Sequence, residues 1–155
     1  VASKRQKAIA AAVLLAAPIT ASFEGLRTKP YLDPANIPTV CYGETELAMR
    51  VYSADECGQM LRARLAKDYA PHILDCLPQV ADRPKVFAAL LDASYNAGWA
   101  AVCKSRMVDA FRSGNDGCAL FEGWYVTARN RKTGVRVTLP GLVRRRKAEA
   151  ALCSS

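Results

Sequence analysis

Phe23-Glu24-Gly25, Tyr31-Leu32-Asp33-Pro34-Ala35-Asn36 and Pro38-Thr39-Val40-Cys41-Tyr42-Gly43 follow one another within residues 23–43 and decide the reading of the chain. They set Glu24, Asp33 and Thr39 in the spacing Glu-x8-Asp-x5-Thr. Pro30, Pro34 and Pro38 break this stretch into short β-favouring pieces. Proline is tolerated at sheet edges and turns, so a small hairpin-like sheet is expected, with Asp33-Pro34-Ala35-Asn36 as the turn that presents Asp33 across a cleft from Glu24. Two carboxylates and a hydroxyl are the parts needed to cleave a glycosidic bond. One carboxyl protonates the leaving oxygen and the other activates water, and they stay distinct only where their environments push the pKa values apart.

Beyond this stretch the pattern turns helical. Ser53-Ala54-Asp55-Glu56 is a capping-box signature for a helix through Met60, Leu61, Leu65 and Tyr69, which Pro71 is expected to kink or interrupt. Pro84 opens the most apolar helix, with Val86, Phe87, Leu90, Leu91 and Ser94 at helical spacing and an end near Gly98. Ser105 caps the next, Gly114 stops it, and a further helix is expected through Leu120 and Trp124. Lys132-Thr133-Gly134-Val135 reads as a loop, and Pro140 opens a last helix to about Leu152. The fold class is therefore α+β, mainly α: a small N-terminal lobe with a short sheet, a connecting helix and a helical C-terminal lobe.

With 155 residues, 51 % of them hydrophobic and 8 % aromatic, the chain has enough apolar surface for one packed domain, which excludes global disorder. The 22 Lys and Arg against 14 Asp and Glu favour an anionic partner without choosing among nucleic acid, a membrane surface and an acidic wall polymer. The face with Arg62, Arg64 and Lys67 equally fits simple solvation. Cys41, Cys57, Cys76, Cys103, Cys118 and Cys153 form no Cys-x-x-Cys, and His72 is the single histidine. No metal site and no cofactor are expected. Disulfides in an oxidising compartment fit the even count better than six buried thiols in a reducing cytosol. Of the 15 possible pairings, 41–57, 76–103 and 118–153 join neighbouring segments of the two-lobe arrangement.

Glu24-Gly25, the turn Asp33, Thr39 ahead of Tyr42-Gly43, the segment Ala93-Ser94-Tyr95-Asn96-Ala97-Gly98, and Leu139-Pro140-Gly141-Leu142-Val143-Arg144-Arg145-Arg146 with Glu149 stand in one order. Together these motifs resemble the phage-type lysozymes, the endolysins of glycoside hydrolase family 24, over roughly residues 23 to 153. The resemblance implies a lysozyme-like two-lobe fold. It also implies a monomeric enzyme that hydrolyses bonds between N-acetylmuramic acid and N-acetylglucosamine in bacterial peptidoglycan, with no nucleic-acid partner. Glu24 is then the general acid, Asp33 the base and Thr39 a holder of the attacking water. This division implies inversion, with the carboxyls roughly 6.5–9.5 Å apart. Tyr31, Gly43, Asn96, Arg144 and Arg145 are the expected cleft or lobe-supporting residues. Trp99, Trp124 and Tyr125 fit either sugar stacking or core. One departure stands out: the family usually has His-Thr after the Tyr-Gly, and this chain has Glu44-Thr45. Whatever contact that His makes is altered here, and Glu44 adds a third carboxylate, a rival catalytic group or a support.

Residues 1–23 read as a separate segment ahead of a catalytic domain at 24–155. Ser3-Lys4-Arg5-Gln6-Lys7 is basic, and Ala8 to Phe23 carries no charge. That is an export pattern, and Ile19-Thr20-Ala21 is a poor cleavage site. A cleaved signal peptide and a buried Ala-rich helix of a cytosolic protein fit the same composition. Retention is expected, because cleavage after Ala21 would leave Glu24 on a frayed terminus. The segment resembles the signal-arrest-release segments of some phage lysozymes. That resemblance implies tethering to the host inner membrane through residues 8–23 and later release into the periplasm. A basic, membrane-active or anionic-polymer-binding protein without hydrolase activity is the alternative; it explains the charge but not the carboxylates.

Overall fold

The computed structural model describes all 155 residues. Helix α1 (Lys4–Glu24) begins at a capping box in which the Ser3 hydroxyl accepts the Gln6 N–H and the Gln6 side chain accepts the Ser3 N–H. It passes through Pro18 and ends at Gly25, whose φ of 75° only glycine adopts freely and whose N–H donates to the Ala21 carbonyl. Glu24 is thereby the last helical residue, set where the chain turns from helix to sheet.

Strands β1 (Arg27–Leu32) and β2 (Pro38–Cys41) form the expected antiparallel hairpin, with Tyr31 opposite Thr39. The Ser53 capping box opens α2 (Ala54–Arg64). The helical path then runs through one wide turn, Leu65–Tyr69, into α3 (Ala70–Cys76). Pro71 sits in the first turn of α3, where its missing N–H costs least, so the i→i+5 turn before it does the work expected of a kink.

Helix α4 (Pro84–Ala97) is the centre of the C-terminal lobe, with Val86 through Ser94 all buried. Burying each of its large side chains contributes about 1.5–3 kcal/mol. Small residues of α1, among them Ala8, Ala12, Ala16 and Ala17, let that helix pack closely on α4, and α7 (Pro140–Ser154) closes another side. Helices α5 (Trp99–Cys103) and α6 (Arg106–Arg112) complete the lobe. A second, smaller cluster of Val40, Cys41, Tyr52 and Cys57 holds the N-terminal lobe. The disulfides are Cys41–Cys57, Cys76–Cys103 and Cys118–Cys153, the expected pairing, with Cα atoms 5.0, 5.8 and 5.4 Å apart.

One expectation needs correction and one needs an addition. The helix through Leu120 and Trp124 is a single 3₁₀ turn, Cys118–Phe121. Gly117 brings the backbone so near Met107 that an added Cβ would sit 2.6 Å from its carbonyl oxygen, and Gly123 at φ 81° ends the turn. Residues 132–135, read as a loop, cap a second hairpin of β3 (Thr127–Arg129) and β4 (Arg136–Thr138). These strands, three residues each, are too short for alternation to reveal them.

Candidate active site

Glu24, Gly43, Glu44, Arg64, Tyr69 and Tyr95 are among the residues lining a cleft of 320 Å³ between the lobes. Gly43 has φ 80°, and a Cβ there would lie 3.7 Å from Oε2 of Glu24, so glycine both makes the turn and leaves room for the carboxyl. The Tyr95 hydroxyl, reaching from α4, donates to the Tyr42 carbonyl at 2.5 Å and fixes this turn against the C-terminal lobe. Burial, with the Glu44 and Glu24 charges, raises the Tyr95 pKa, so the phenol stays a donor.

Glu24 is held from the opposite side. Arg145 donates from Nη1 to Oε1 of Glu24 at 2.6 Å and from Nε and Nη2 to Asp92 at 2.9 and 2.8 Å. The Thr20 hydroxyl adds a 2.7 Å bond to Asp92. Helices α1, α4 and α7 are thus joined by one buried polar chain that ends on Glu24. Asp92 is wholly buried; desolvation pushes its pKa up, but the bonds from Arg145, Glu149 and Thr20 outweigh it and the net shift is downward. Glu149 goes the other way: burial first, then its bond with ionised Asp92, push it up to about 10. Oε2 of Glu149 accepts no hydrogen bond from any donor, which fits a protonated oxygen turned toward Asp92.

The expected site residues do not all meet. Asp33 sits at the β1–β2 tip, where its Oδ1 accepts the N–H groups of Ala35 and Ile37 at 2.8 and 2.9 Å. It is therefore the Asx-type turn foreseen from the sequence, with Oδ2 uncommitted, and it lies outside the walls of the cleft around Glu24. Thr39, only 2 % exposed, turns its hydroxyl to the Ile37 carbonyl at 2.8 Å. Tyr31 carries the Arg27 guanidinium 4.6 Å above its ring. Asn96 accepts from Arg146 at 2.8 Å and so ties α4 to α7 instead of facing the cleft.

Arg144 is exposed and forms no ion pair, because each helical residue turns by about 100° and only Arg145 points at Glu24. Arg146, a further turn round, is fully buried, bonded to Glu149 at 2.8 Å and stacked 5.3 Å from the Trp124 ring. Trp124 therefore serves the core, whereas Trp99 is 39 % exposed against His72 and Tyr125 is 47 % exposed. Glu44, standing where the family has His, is 4 % exposed and paired with Arg64, which also holds Glu46 and Asp68. Its charge is compensated locally, which makes it a support of the cleft wall.

Asp92, Thr20, Arg64 and Tyr95 were not singled out by sequence reasoning as parts of the site. Asp92 did leave a signal: it is a lone acid inside the apolar run from Val86 to Ala93.

The family model of phage lysozyme matches residues 21–149. Among solved structures, the chain is similar to an endolysin from Escherichia coli O157:H7 phage FAHEc1, 27 % identical over 90 % of both chains with a TM-score of 0.69. It is also similar in fold to the muramidase domain of SpmX from Asticaccaulis excentricus (23 % identical, 90 % of this chain and 95 % of that one, TM-score 0.76). The active form of the P1 phage endolysin Lyz has the same fold (20 %, 92 % and 82 %, TM-score 0.72). No curated protein matches the chain in sequence. With the family match spanning most of its length, the chain belongs to the phage lysozyme family and is a glycoside hydrolase, a muramidase acting on peptidoglycan.

Proposed function

We propose that Glu24 is the general acid that protonates the leaving oxygen of the bond between N-acetylmuramic acid and N-acetylglucosamine, with Asp33 as base and Thr39 as holder of the attacking water. The observation that carries this is the state of the three carboxylates in the cleft wall. Glu44 and Glu46 are both committed to Arg64, while Glu24 has Oε1 held by Arg145 and Oε2 without a partner beside Gly43. Oε2 is then the oxygen that carries and delivers the proton. Asp92 takes two of the three Arg145 bonds and so shares the positive charge that would otherwise fall wholly on Glu24. Asp33, anchored through Oδ1, keeps Oδ2 for water.

The same reading has the enzyme tethered to the host inner membrane through residues 8–23 and released to the periplasm for host lysis, acting as a monomer. Support comes from α1, a 21-residue helix with mean hydropathy 1.4 over its most apolar window and long enough to cross a membrane. In the folded chain this helix delivers Thr20 and Glu24 to the buried network, so a helix drawn into a bilayer withdraws the acid from Arg145.

Digestion of purified peptidoglycan should create new reducing ends on N-acetylmuramic acid. Glu24→Gln is expected to slow this by about 10²–10⁴-fold at unchanged circular dichroism; activity within a few-fold of wild type removes the assignment. For the tether, cells are fractionated before and after collapse of the membrane potential and the N-terminus of each pool is sequenced. A soluble pool beginning at Ser22, or no membrane pool, defeats it.

A further inference from the structure

The β3–β4 hairpin and the outer face of α7 carry a charge distribution that neither catalysis nor the N-terminal helix uses. Residues 123–148 contain no Asp or Glu. Arg129, Arg131, Lys132, Arg136, Arg144 and Lys147 are all exposed there, and none of them makes an ion pair. Arg129 and Arg136 are direct cross-strand partners. Like charges in that relation destabilise a hairpin, and here nothing acidic offsets them. Their side-chain bonds are local ones, Arg129 to the Gly134 carbonyl at 2.9 Å and Arg136 to the Thr127 hydroxyl and carbonyl at 3.0 and 3.3 Å.

The other face of the same ribbon is apolar and uncovered. Strand alternation sets Val135 and Val137 opposite in direction to Arg136, and they are 59 % and 42 % exposed, with Leu139 beyond them at 38 %. A two-stranded ribbon with one bare apolar face is marginal alone in water. We propose that this hairpin docks on an anionic lipid surface, with Val135, Val137 and Leu139 entering the interface and the six cations meeting headgroup phosphates. Charge complementarity selects an anionic partner. The bare apolar face on the same ribbon as the cations, whose long stems can reach round its edge to the headgroups, selects a bilayer over an acidic wall polymer, which is hydrated throughout and offers such a face nothing.

The test is co-sedimentation of the full chain with vesicles of neutral phosphatidylcholine alone or containing about a quarter phosphatidylglycerol. Binding is expected to the anionic vesicles only and to weaken with added salt. Each cation near such a surface contributes about five-fold in affinity, so Arg129→Gln/Arg136→Gln should weaken binding by about 25-fold. Val135→Ser/Val137→Ser should weaken it at least about ten-fold. Both variants should digest peptidoglycan like wild type, which verifies that they fold. Equal binding to neutral vesicles overturns the proposal, as does full binding by both variants, which moves the contact to another part of the chain such as α1. Loss in the arginine variant with none in the valine variant also overturns it, in favour of a polyanion site.

Discussion

Replacing Glu149 by Gln is expected to flatten the pH dependence of stability and to stabilise the protein in mild alkali. Wild-type Glu149 is fully buried on α7, facing Asp92 on α4 and Arg146 on its own helix, and its pKa is pushed up to about 10 from a usual value of 4.5. The sign follows from proton counting. Between pH 5 and 9 the unfolded chain has Glu149 ionised while the folded chain holds it neutral, so folding takes up a proton and stability falls as pH rises. One proton corresponds to a slope of about 1.4 kcal/mol per pH unit as an upper limit, fully relieved below the unfolded pKa. Asp92 works in the opposite sense, its depressed pKa contributing stability that is lost only as pH falls below the usual carboxylate range, outside this window. Gln keeps the neutral acid's two contacts, an oxygen for Arg146 and an N–H for Asp92, without the proton to take up.

The assay is urea unfolding of both proteins at several pH values from 5 to 9. The wild-type curve should fall relative to the variant by as much as about 1.4 kcal/mol per unit, or roughly 3–6 °C in Tm for a chain of this size. Near pH 5 the two should lie within about 1.5 kcal/mol, the worth of one ordinary hydrogen bond. Parallel curves, with the variant weaker by a constant several kcal/mol, would mean that Glu149 is an ionised partner of Arg146 and would refute the proton-sharing account.

Three other changes probe the same framework. Asp92→Asn removes the charge that faces a buried guanidinium and should cost about 3 kcal/mol in urea unfolding, with a fall in peptidoglycan digestion as Arg145 turns its freed N–H groups on Glu24; an unchanged midpoint argues against the Thr20–Asp92–Arg145 network. Arg64→Gln leaves Glu44 buried without its partner and should cost toward the lower end of about 3–5 kcal/mol, since Arg64 keeps 26 % of its side chain exposed; a variant as stable as wild type would mean Glu44 needs no counter-charge. Replacing Cys118 and Cys153 by Ser opens a 35-residue loop and should lower stability by about 2–4 kcal/mol without moving Glu24, read as a lower Tm with unchanged digestion at 25 °C.

The parts of this site that were legible in the sequence are those fixed locally. Gly25 after an apolar run places Glu24 at a helix end, Asp33-Pro34-Ala35-Asn36 dictates a turn, and Pro84 to Gly98 can only be a buried helix. The rest depends on which helix faces which. Arg64 reads as a solvated position because it stands with Arg62 and Lys67 in a basic set; its role appears only when Glu44, distant in sequence, folds against it. Arg144 and Arg145 are equivalent in a string of letters and differ by one helical step in space. Thr20 in an alanine-rich run gives no sign that Asp92 is waiting for its hydroxyl. The β3–β4 hairpin escapes because it is held by turn chemistry at Asn130 and Gly134 and has no buried face to announce it.

Helix α1 has two demands on it that its composition reconciles. It must pack tightly enough on α4 to fix Glu24, and under the proposed release it must also be able to leave. Its buried stripe is mostly alanine, which permits close approach while burying little apolar area per residue, so dispersion contacts are good and the transfer free energy lost on separation is small. Of its larger apolar side chains, Leu14 and Leu15 are 70 % and 36 % exposed, and these are what a bilayer would bury. What makes the docked state specific is polar: Thr20 on Asp92 and Glu24 on Arg145 satisfy groups that are buried or nearly so. None of the six cysteines lies in α1, so no disulfide needs to exchange for it to dock. The latch that selects the folded position is therefore the same set of hydrogen bonds that orients the Glu24 carboxyl, and under the proposed assignment docking and assembly of the site become one event.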